Sequence, residues 1–258
     1  MRLASFCSLL AVASFEFIWP NILGGIIVAS KRNSNFVLVG LDRLVEKYHL
    51  LKHPFYQAWS NGTLSREALA LYAEQYYQHV RAFPENLEKL ASRTDGPLQT
   101  IVNDNLAEEL DPAGPHPKLW RQFAGAVGAR ESELNSGRAL PGVAALLDAF
   151  DELSENGSKA QAVAAFYVYE SQVPEIATQK IAGLKKHYNI TDEPALRYFA
   201  VHEEADVRHR AAWREWLSGQ PESEGAPILA AGERALKALW CALDAVYPKS
   251  PACAASKN

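Results

Sequence analysis

Residues 202–209 read HEEADVRH, and the interpretation of the whole chain starts from this stretch. His202, Asp206 and His209 fall at positions i, i+4 and i+7, so they share one stripe of an α-helix. Aromatic residues continue that stripe on either side: Tyr198, Phe199, Trp213 and Trp216. Polar groups on an aromatic face are costly to desolvate unless something pairs with them. A cation is one such partner, and two imidazoles with a carboxylate suit a transition metal.

The hydrophobic pattern from residue 41 onward is that of α-helices. Apolar side chains at i, i+3, i+4 and i+7 define the first helix: Leu41, Leu44, Val45 and Tyr48. Further helices are predicted from Ser65 to Leu90 and from Pro97 to Leu110, and over residues 117–128, 141–154, 159–187, 193–217 and 226–247. Pro174 is expected to bend the helix over 159–187. No segment shows sustained period-two alternation, so the sequence predicts one all-α domain of about seven to nine helices over residues 41–247.

The composition is that of an ordinary globular protein, with 48% hydrophobic and 22% charged residues. A net charge of −4 gives no sign of a surface for nucleic acid or an anionic membrane. Cys7, Cys241 and Cys253 are far apart and odd in number, with no zinc-binding spacing and no disulfide framework. This pattern indicates a reducing compartment, so we expect a cytoplasmic protein that binds no nucleic acid and whose folded domain binds no membrane.

The N-terminal segment differs from the rest of the chain. Residues 3–30 are apolar, but they contain Glu16, a proline and a glycine pair. A secretory signal or a membrane span would explain the apolar run, and these interruptions argue against both. We therefore treat residues 1–40 as an extension outside the fold, either a start-site artefact or a targeting segment, and residues 248–258 as a mobile tail.

Three more residues are candidate ligands. Glu109 lies on the inward face of its predicted helix, about three turns after the first apolar residue of that face; the alternative is a helix-end glutamate that reaches solvent. His116 follows a loop stiffened by prolines, which suits a ligand of fixed position, although a surface histidine near a helix N-terminus fits as well. Glu170 lies between Phe166 and Val173 on an inner face, where the alternative is a buried salt bridge.

Together the candidates supply three carboxylates and three histidines from four helices. That set matches a two-metal, carboxylate-bridged site in a helical scaffold. The sequence does not have the paired Glu-x-x-His motifs of ferritin-type sites, so the site is of another type.

For the HEEADVRH stretch the alternative is a charged helix face beside Arg208 and Arg210. The helix after Ser65 carries many tyrosines, and phenols near an oxidising metal can themselves be oxidised. From its position alone, Lys180 is expected to be a solvated lysine.

Six stretches carry a resemblance to a known family: residues 53–56 (HPFY), 72–77 (YAEQYY), 82–84 (AFP), 105–109 (NLAEE), 169–174 (YESQVP) and 202–209 (HEEADVRH). Together they resemble the CADD family, the chlamydial proteins associating with death domains. That family belongs to the haem-oxygenase-like superfamily, beside thiaminase II and pyrroloquinoline-quinone synthase C. The resemblance covers about residues 41–245 and implies an all-α, seven-helix bundle around two metal ions, iron with iron or manganese with iron.

The resemblance also implies residue roles. The metal ligands would be Glu109, His116, Glu170, His202, Asp206 and His209. Family members are dioxygen-dependent oxygenases that need an external reductant and make para-aminobenzoate for folate, without chorismate, from one of their own tyrosines. By motif the consumed tyrosine is Tyr56, the amino donor is Lys180, and Tyr72 and Tyr169 are further tyrosines near the site. The electron donor is left open, and so is assembly as a homodimer.

Two other functions fit the same sequence. One is a dimetal oxygenase that acts on an external small molecule or fatty acid. The other is a death-domain-binding module in which the metal site is incidental. Thiaminase-like chemistry would need a nucleophilic cysteine in the core, for which mid-helix Cys241 is a poor candidate, and three carboxylates beside the histidines suit bare metal ions better than haem.

Overall fold

The computed structural model describes residues 35–247 of the chain. These residues form eleven α-helices and two short 3₁₀ helices, Leu50–Lys52 and Glu222–Glu224, and they contain no β-strand. The α-helices are α1 (Phe36–Lys47), α2 (Pro54–Ser60), α3 (Arg66–Ser92), α4 (Gly96–Glu109), α5 (His116–Ala126), α6 (Glu131–Ser136), α7 (Pro141–Glu155), α8 (Lys159–Glu170), α9 (Val173–His187), α10 (Glu193–Ser218) and α11 (Gly225–Val246). The prediction of an all-α fold is confirmed for this part of the chain.

Helix α1 begins before the boundary that was predicted for the domain. Its first residue is Phe36, and Val37 and Leu38 are buried, although the sequence analysis assigned residues up to 40 to an extension. The Asn35 side chain caps the helix by accepting a hydrogen bond from Leu38 N at 3.2 Å. The predictions made for residues 1–34 and 248–258 lie outside the described residues.

The single helix predicted over residues 159–187 is two helices, α8 and α9, separated by two residues. Pro174 lies in the first turn of α9, where its missing N–H removes no helical hydrogen bond. The buried Gln172 side chain holds the break, because it donates to Val168 O at 2.9 Å and accepts from Leu50 N at 2.8 Å. The proline therefore starts a new helix, and the predicted bend within one helix is wrong.

Two short helices, α2 and α6, were not predicted. They have seven and six residues, too few to repeat an apolar pattern. Helix α2 begins after His53, whose Nδ1 accepts a hydrogen bond from Phe55 N at 3.1 Å, and Pro54 occupies its first turn. These two helices and the break after α8 explain why the structure has more helices than the sequence predicted.

Helix α10 is the element around which the candidate site is built. It has 26 residues and packs against α4, α5, α8 and α9. Its buried residues include Tyr198, His202, Asp206, His209 and Trp213, which is the stripe predicted from the sequence. The ligand-type side chains of α10 therefore face a packed interior.

Helix α8 is buried along nearly its whole length. Every residue from Ala162 to Glu170 is buried, a pattern typical of a central helix. Its neighbours include α10 and α11. Glu170, the last residue of α8, is only 1% exposed, so its carboxylate lies inside the protein.

A glycine on α9 allows that helix to approach α2. A Cβ atom at Gly183 would lie 2.6 Å from Trp59 Cδ1, so no larger residue fits there without displacing the tryptophan. Across the same contact, Trp59 Nε1 donates a hydrogen bond to Lys180 O at 3.2 Å. This packing places Lys180 of α9 beside Tyr56 of α2.

Within residues 35–247, no helix is both long enough and apolar enough to cross a membrane. The cytoplasmic location expected from the cysteine pattern remains a prediction.

Candidate metal centre

Four helices bring the candidate ligands together in the interior. The side chains are Glu109 of α4, His116 of α5, Glu170 of α8, and His202, Asp206 and His209 of α10. The first group is Glu109, His116 and His202, and the second group is Glu170, Asp206 and His209; within each group the ligand atoms lie within 4.8 Å of one another. All of them are buried. Every residue that the sequence analysis proposed as a ligand thus lies in one of two groups.

In the first group, the ligand atoms face one another without bonding. His116 Nδ1 lies 2.8 Å from Glu109 Oε2, but the angles are not those of a hydrogen bond and His116 Nδ1 has no hydrogen-bond partner. The His116 and His202 rings lie 4.5 Å apart, centroid to centroid. His202 Nδ1 lies 2.5 Å from the Tyr198 carbonyl oxygen. Because a carbonyl oxygen only accepts, this nitrogen carries the proton and Nε2 remains as the ligand atom.

In the second group, hydrogen bonds hold both oxygens of one carboxylate, and another carboxylate keeps one oxygen without a partner. Asn105 Nδ2 donates to Glu170 Oε1 at 2.8 Å, and Trp213 Nε1 donates to Glu170 Oε2. Asp206 Oδ1 lies 3.3 Å from His209 Nδ1. Asp206 Oδ2 and His209 Nε2 are buried without a hydrogen-bond partner, which is uncommon for polar atoms in a folded interior and calls for a missing partner.

The electrostatics of the two groups favour a bound cation. Burial, and then the nearby charge of Asp206, raises the pKa of Glu170 to about 8. Burial likewise raises the pKa of Asp206 to about 6. A cation between these carboxylates would restore their ionised forms. The unpartnered atoms of His116 and His209 are available to bind that cation. Imidazole and carboxylate ligands fit iron or manganese, so these residues could hold two such ions.

Two hydrogen-bond donors that orient Glu170, Asn105 and Trp213, were not predicted from the sequence, where Trp213 was assigned only to the aromatic stripe. Asn105 lies four residues before Glu109 on α4, and Trp213 lies four residues after His209 on α10. Each therefore shares a helix face with a candidate ligand, and this i, i+4 spacing is the signal that could have found it. Donors of this kind hold a ligating carboxylate in place and tune its affinity for metal.

Lys180 is buried, which corrects the expectation of a solvated lysine. It is 5% exposed, and its Nζ donates a hydrogen bond to Tyr72 Oη at 2.6 Å. The same nitrogen lies 5.3 Å from the centre of the Tyr56 ring, and the Tyr56 and Tyr72 hydroxyl oxygens are 3.2 Å apart. Burial lowers the pKa of Lys180 to about 7, because an apolar interior disfavours the charged ammonium.

A small interior cavity connects the lysine and the tyrosines with the first group. Its lining includes Tyr56, Lys180, Tyr169 and the candidate ligand His202. Tyr76, which also lines it, donates a hydrogen bond to Tyr169 Oη at 3.1 Å. The cavity volume is about 20 Å³, enough for one molecule the size of water and too small for an aromatic compound.

Residues 35–247 are thus an all-helical domain with two buried groups of histidine and carboxylate side chains, as in helical proteins that bind metal ions in their interior. The model of a protein family described as iron-containing redox enzyme matches residues 70–246. The chain belongs to this family of iron-containing redox enzymes. The expectation of an oxygenase-type redox enzyme agrees with that family and is confirmed.

Two relatives with assigned activities match the chain over most of its length. A 4-aminobenzoate synthase of Nitrosomonas europaea is 38% identical, with the match covering 80% of this chain and 89% of the relative. A 4-aminobenzoate synthase of Chlamydia muridarum is 34% identical, covering 83% and 91%. The solved structure of a TenA homologue from Pseudomonas syringae pv. tomato has a TM-score of 0.70 at 16% identity, covering 81% of this chain and 90% of that one, and it shows the shared fold alone. The resemblance drawn from the sequence motifs is confirmed by these matches.

Proposed function

We propose that this protein makes 4-aminobenzoate (para-aminobenzoate) for folate synthesis and takes the aromatic ring from its own Tyr56. Lys180 supplies the amino group, and dioxygen and an external reductant are the co-substrates. The relatives from Nitrosomonas europaea and Chlamydia muridarum, both 4-aminobenzoate synthases matched over most of their length, support the product. The choice of tyrosine and lysine is supported by their position beside the candidate metal ligands.

The observation that carries the proposal is the size of the cavity shared by Tyr56, Lys180 and His202. At about 20 Å³ it can admit a small molecule such as dioxygen, but it has no space for a second aromatic ring. A phenol ring already forms part of its wall. A substrate that belongs to the chain therefore fits this interior better than an external aromatic molecule or a fatty acid.

The first and second groups would hold two metal ions, either two irons or one manganese and one iron. The fit rests on the three unpartnered ligand atoms of His116, Asp206 and His209 and on the raised pKa values of the buried carboxyl groups. When bound, the metal pair supplies reduction of dioxygen to an oxidant able to attack a phenol. The protein contributes a dry site, since Glu170 and its hydrogen-bond donors lie away from solvent.

The residues around Tyr56 provide a route for its proton. Burial, reinforced by Tyr76, raises the pKa of Tyr56 well above its ordinary value, so the phenol is neutral before it is oxidised. Oxidation makes that proton acidic, and the Tyr72 hydroxyl lies 3.2 Å away to receive it. Tyr72 in turn contacts Lys180 Nζ, whose pKa of about 7 leaves a large neutral fraction at neutral pH. Tyr56, Tyr72 and Lys180 thus form a continuous path.

The atoms of the tyrosine side chain match the product. Its ring already carries a hydroxyl group para to a carbon chain. Oxidative cleavage between Cα and Cβ, with dioxygen as the oxidant, leaves the benzylic carbon as a carboxylate. The Lys180 nitrogen condenses with the oxidised ring at the carbon that carries the oxygen, and this oxygen leaves as water. Hydrolysis then breaks the Cε–Nζ bond of Lys180, which leaves an aldehyde at Cε, while the ring returns to the aromatic amine of 4-aminobenzoate. Tyr56 and Lys180, the two residues proposed to supply these groups, both line the cavity.

A comparison of two tyrosine variants tests this proposal. Full-length protein is reconstituted with iron and manganese, exposed to dioxygen and reductant, and assayed for 4-aminobenzoate. Tyr56→Phe is expected to give no product. Tyr77→Phe is the matched control, because Tyr77 is also buried, but its hydroxyl accepts from Arg121 Nε at 2.8 Å and it does not line the cavity. Wild-type product yield from Tyr56→Phe would mean that an external molecule supplies the ring.

A further inference from the structure

Glu108 lies at the edge of the second group, although the sequence analysis did not include it among the ligands. On the helix, Glu108 is turned about 100° from Glu109, off the inward face. In the structure Glu108 Oε1 lies 3.5 Å from His209 Nε2, and Glu108 Oε2 lies 2.8 Å from Arg208 Nη2. The carboxylate of Glu108 therefore lies between a candidate metal ligand and an arginine.

The nitrogen that faces Glu108 has no hydrogen-bond partner. His209 Nε2 is buried and unpaired, and its distance from Glu108 Oε1 is too long for a good hydrogen bond. Two atoms that bind one transition-metal ion at about 2.1 Å are separated by about 3 to 4 Å, which includes the observed value. Asp206 Oδ2, in the same group, is likewise buried without a partner. These atoms leave a position for a cation that Glu108 can also reach.

We propose that Glu108 is an exchangeable ligand of the metal ion held by the second group. Without metal, its carboxylate is paired with Arg208; when the ion binds, it leaves Arg208 and binds the ion. This inference rests on the proposed function, since it assumes that the second group is a metal site.

The surroundings of Glu108 allow this exchange. Its side chain is 38% exposed, whereas Glu170, Asp206 and His209 are all buried, so Glu108 has more room to change its conformation than they have. Together with Arg208 and the first-group residue His116 it lines an open pocket of about 260 Å³. An ion pair as exposed as the one with Arg208 contributes only about 1 kcal/mol or less, so a metal ion can compete with it.

Metal binding provides a test that does not depend on activity. Full-length, metal-free protein is titrated with Mn²⁺ under argon, and free Mn²⁺ is counted by electron paramagnetic resonance. Glu108→Gln is expected to weaken one of the two Mn²⁺ sites by about tenfold or more. Arg208→Gln is expected to tighten the same site severalfold, because the competing partner is gone. Glu204→Gln, which removes another carboxylate from the wall of the same pocket, is expected to change either site by less than about threefold.

Two more variants separate a ligand from a simple charge effect. Glu108→Asp keeps the charge but shortens the side chain by one methylene, so a ligand role predicts that it binds Mn²⁺ as weakly as Glu108→Gln. The double variant carries both Glu108→Gln and Arg208→Gln. In it, the arginine substitution should no longer change the Mn²⁺ affinity, because no carboxylate is left for Arg208 to release.

The outcomes are distinct. Wild-type affinity in Glu108→Gln or in Glu108→Asp, or additive effects in the double variant, would overturn the exchange proposal while leaving the metal centre in place. Wild-type protein that binds no pair of Mn²⁺ ions would overturn the metal centre itself, and the proposed function with it.

Discussion

The side-chain nitrogen of Lys180 lies 2.6 Å from the hydroxyl oxygen of Tyr72, in a part of the interior lined by aromatic rings. The ring centres of Tyr56 and Phe199 lie 5.3 Å and 5.0 Å from the same nitrogen. Among residues 35–247, Lys180 makes no ion pair with a carboxylate. A lysine in such surroundings loses its proton easily, and a neutral amine is what an amino donor requires.

The source of the nitrogen can be followed by isotope labelling. If Lys180 donates the amino group, protein carrying ¹⁵N only in lysine side chains should yield ¹⁵N-labelled 4-aminobenzoate, detected by mass spectrometry. Lys180→Met, with an apolar side chain of similar length, should yield none and should be at least as stable as wild type, because an ionisable group leaves an apolar interior. Unlabelled product from the labelled protein would identify another donor.

The lowered pKa of Lys180 predicts a pH-dependent cost to folding. The pKa is about 10.4 in an unfolded chain and about 7 in the fold. Between these values the unfolded chain binds more protons, so the free energy of unfolding rises with pH in this window. Urea unfolding of metal-free protein should show wild type gaining about 1 kcal/mol per pH unit over Lys180→Met from pH 7.5 to 9.5. A constant difference between the two proteins would mean that the fold leaves Lys180 with an ordinary pKa.

Asn105 is expected to control metal affinity through Glu170. Asn105→Ala removes the hydrogen bond to Glu170 Oε1 and should weaken Mn²⁺ binding by about 10- to 100-fold, as loss of such supporting residues does in other metal sites. Asn103→Ala is the matched control, because Asn103 is exposed on the same helix. Equal Mn²⁺ affinities in the two variants would show that Glu170 does not depend on Asn105 for its orientation.

His53 links the helix that carries Tyr56 to the rest of the fold. Its Nδ1 accepts from Phe55 N at 3.1 Å, and its Nε2 lies 3.1 Å from Asp244 Oδ1. His53→Ala loses a helix cap, about 1 kcal/mol, and leaves Asp244 without its partner, about 1–3 kcal/mol, so urea unfolding should show a loss of about 2–4 kcal/mol. His53→Asn can still cap the helix and should lose less. If both variants were as stable as wild type, this link would contribute nothing to the fold.

The fold and the three candidate ligands of α10 could be predicted because their signals are local. The repeat of apolar residues identified nearly all the long helices, and the spacing within HEEADVRH placed three candidate ligands on one stripe of α10. The environment of Lys180 could not be predicted in this way. It depends on the break after α8, which Gln172 holds through contacts distant in sequence, and on the approach of α9 to α2 that Gly183 permits. The roles of Tyr56 and Lys180 came from the family resemblance and not from spacing.

Isotope-labelled tyrosine shows whether the ring of 4-aminobenzoate comes from the protein itself. Protein made with ¹³C-labelled tyrosine rings, and otherwise unlabelled, is loaded with iron and manganese and exposed to dioxygen and reductant. We expect that all the 4-aminobenzoate carries the ¹³C ring and that the peptide containing Tyr56 loses the mass of its side chain. Unlabelled 4-aminobenzoate, formed while Tyr56 stays intact, would contradict this expectation.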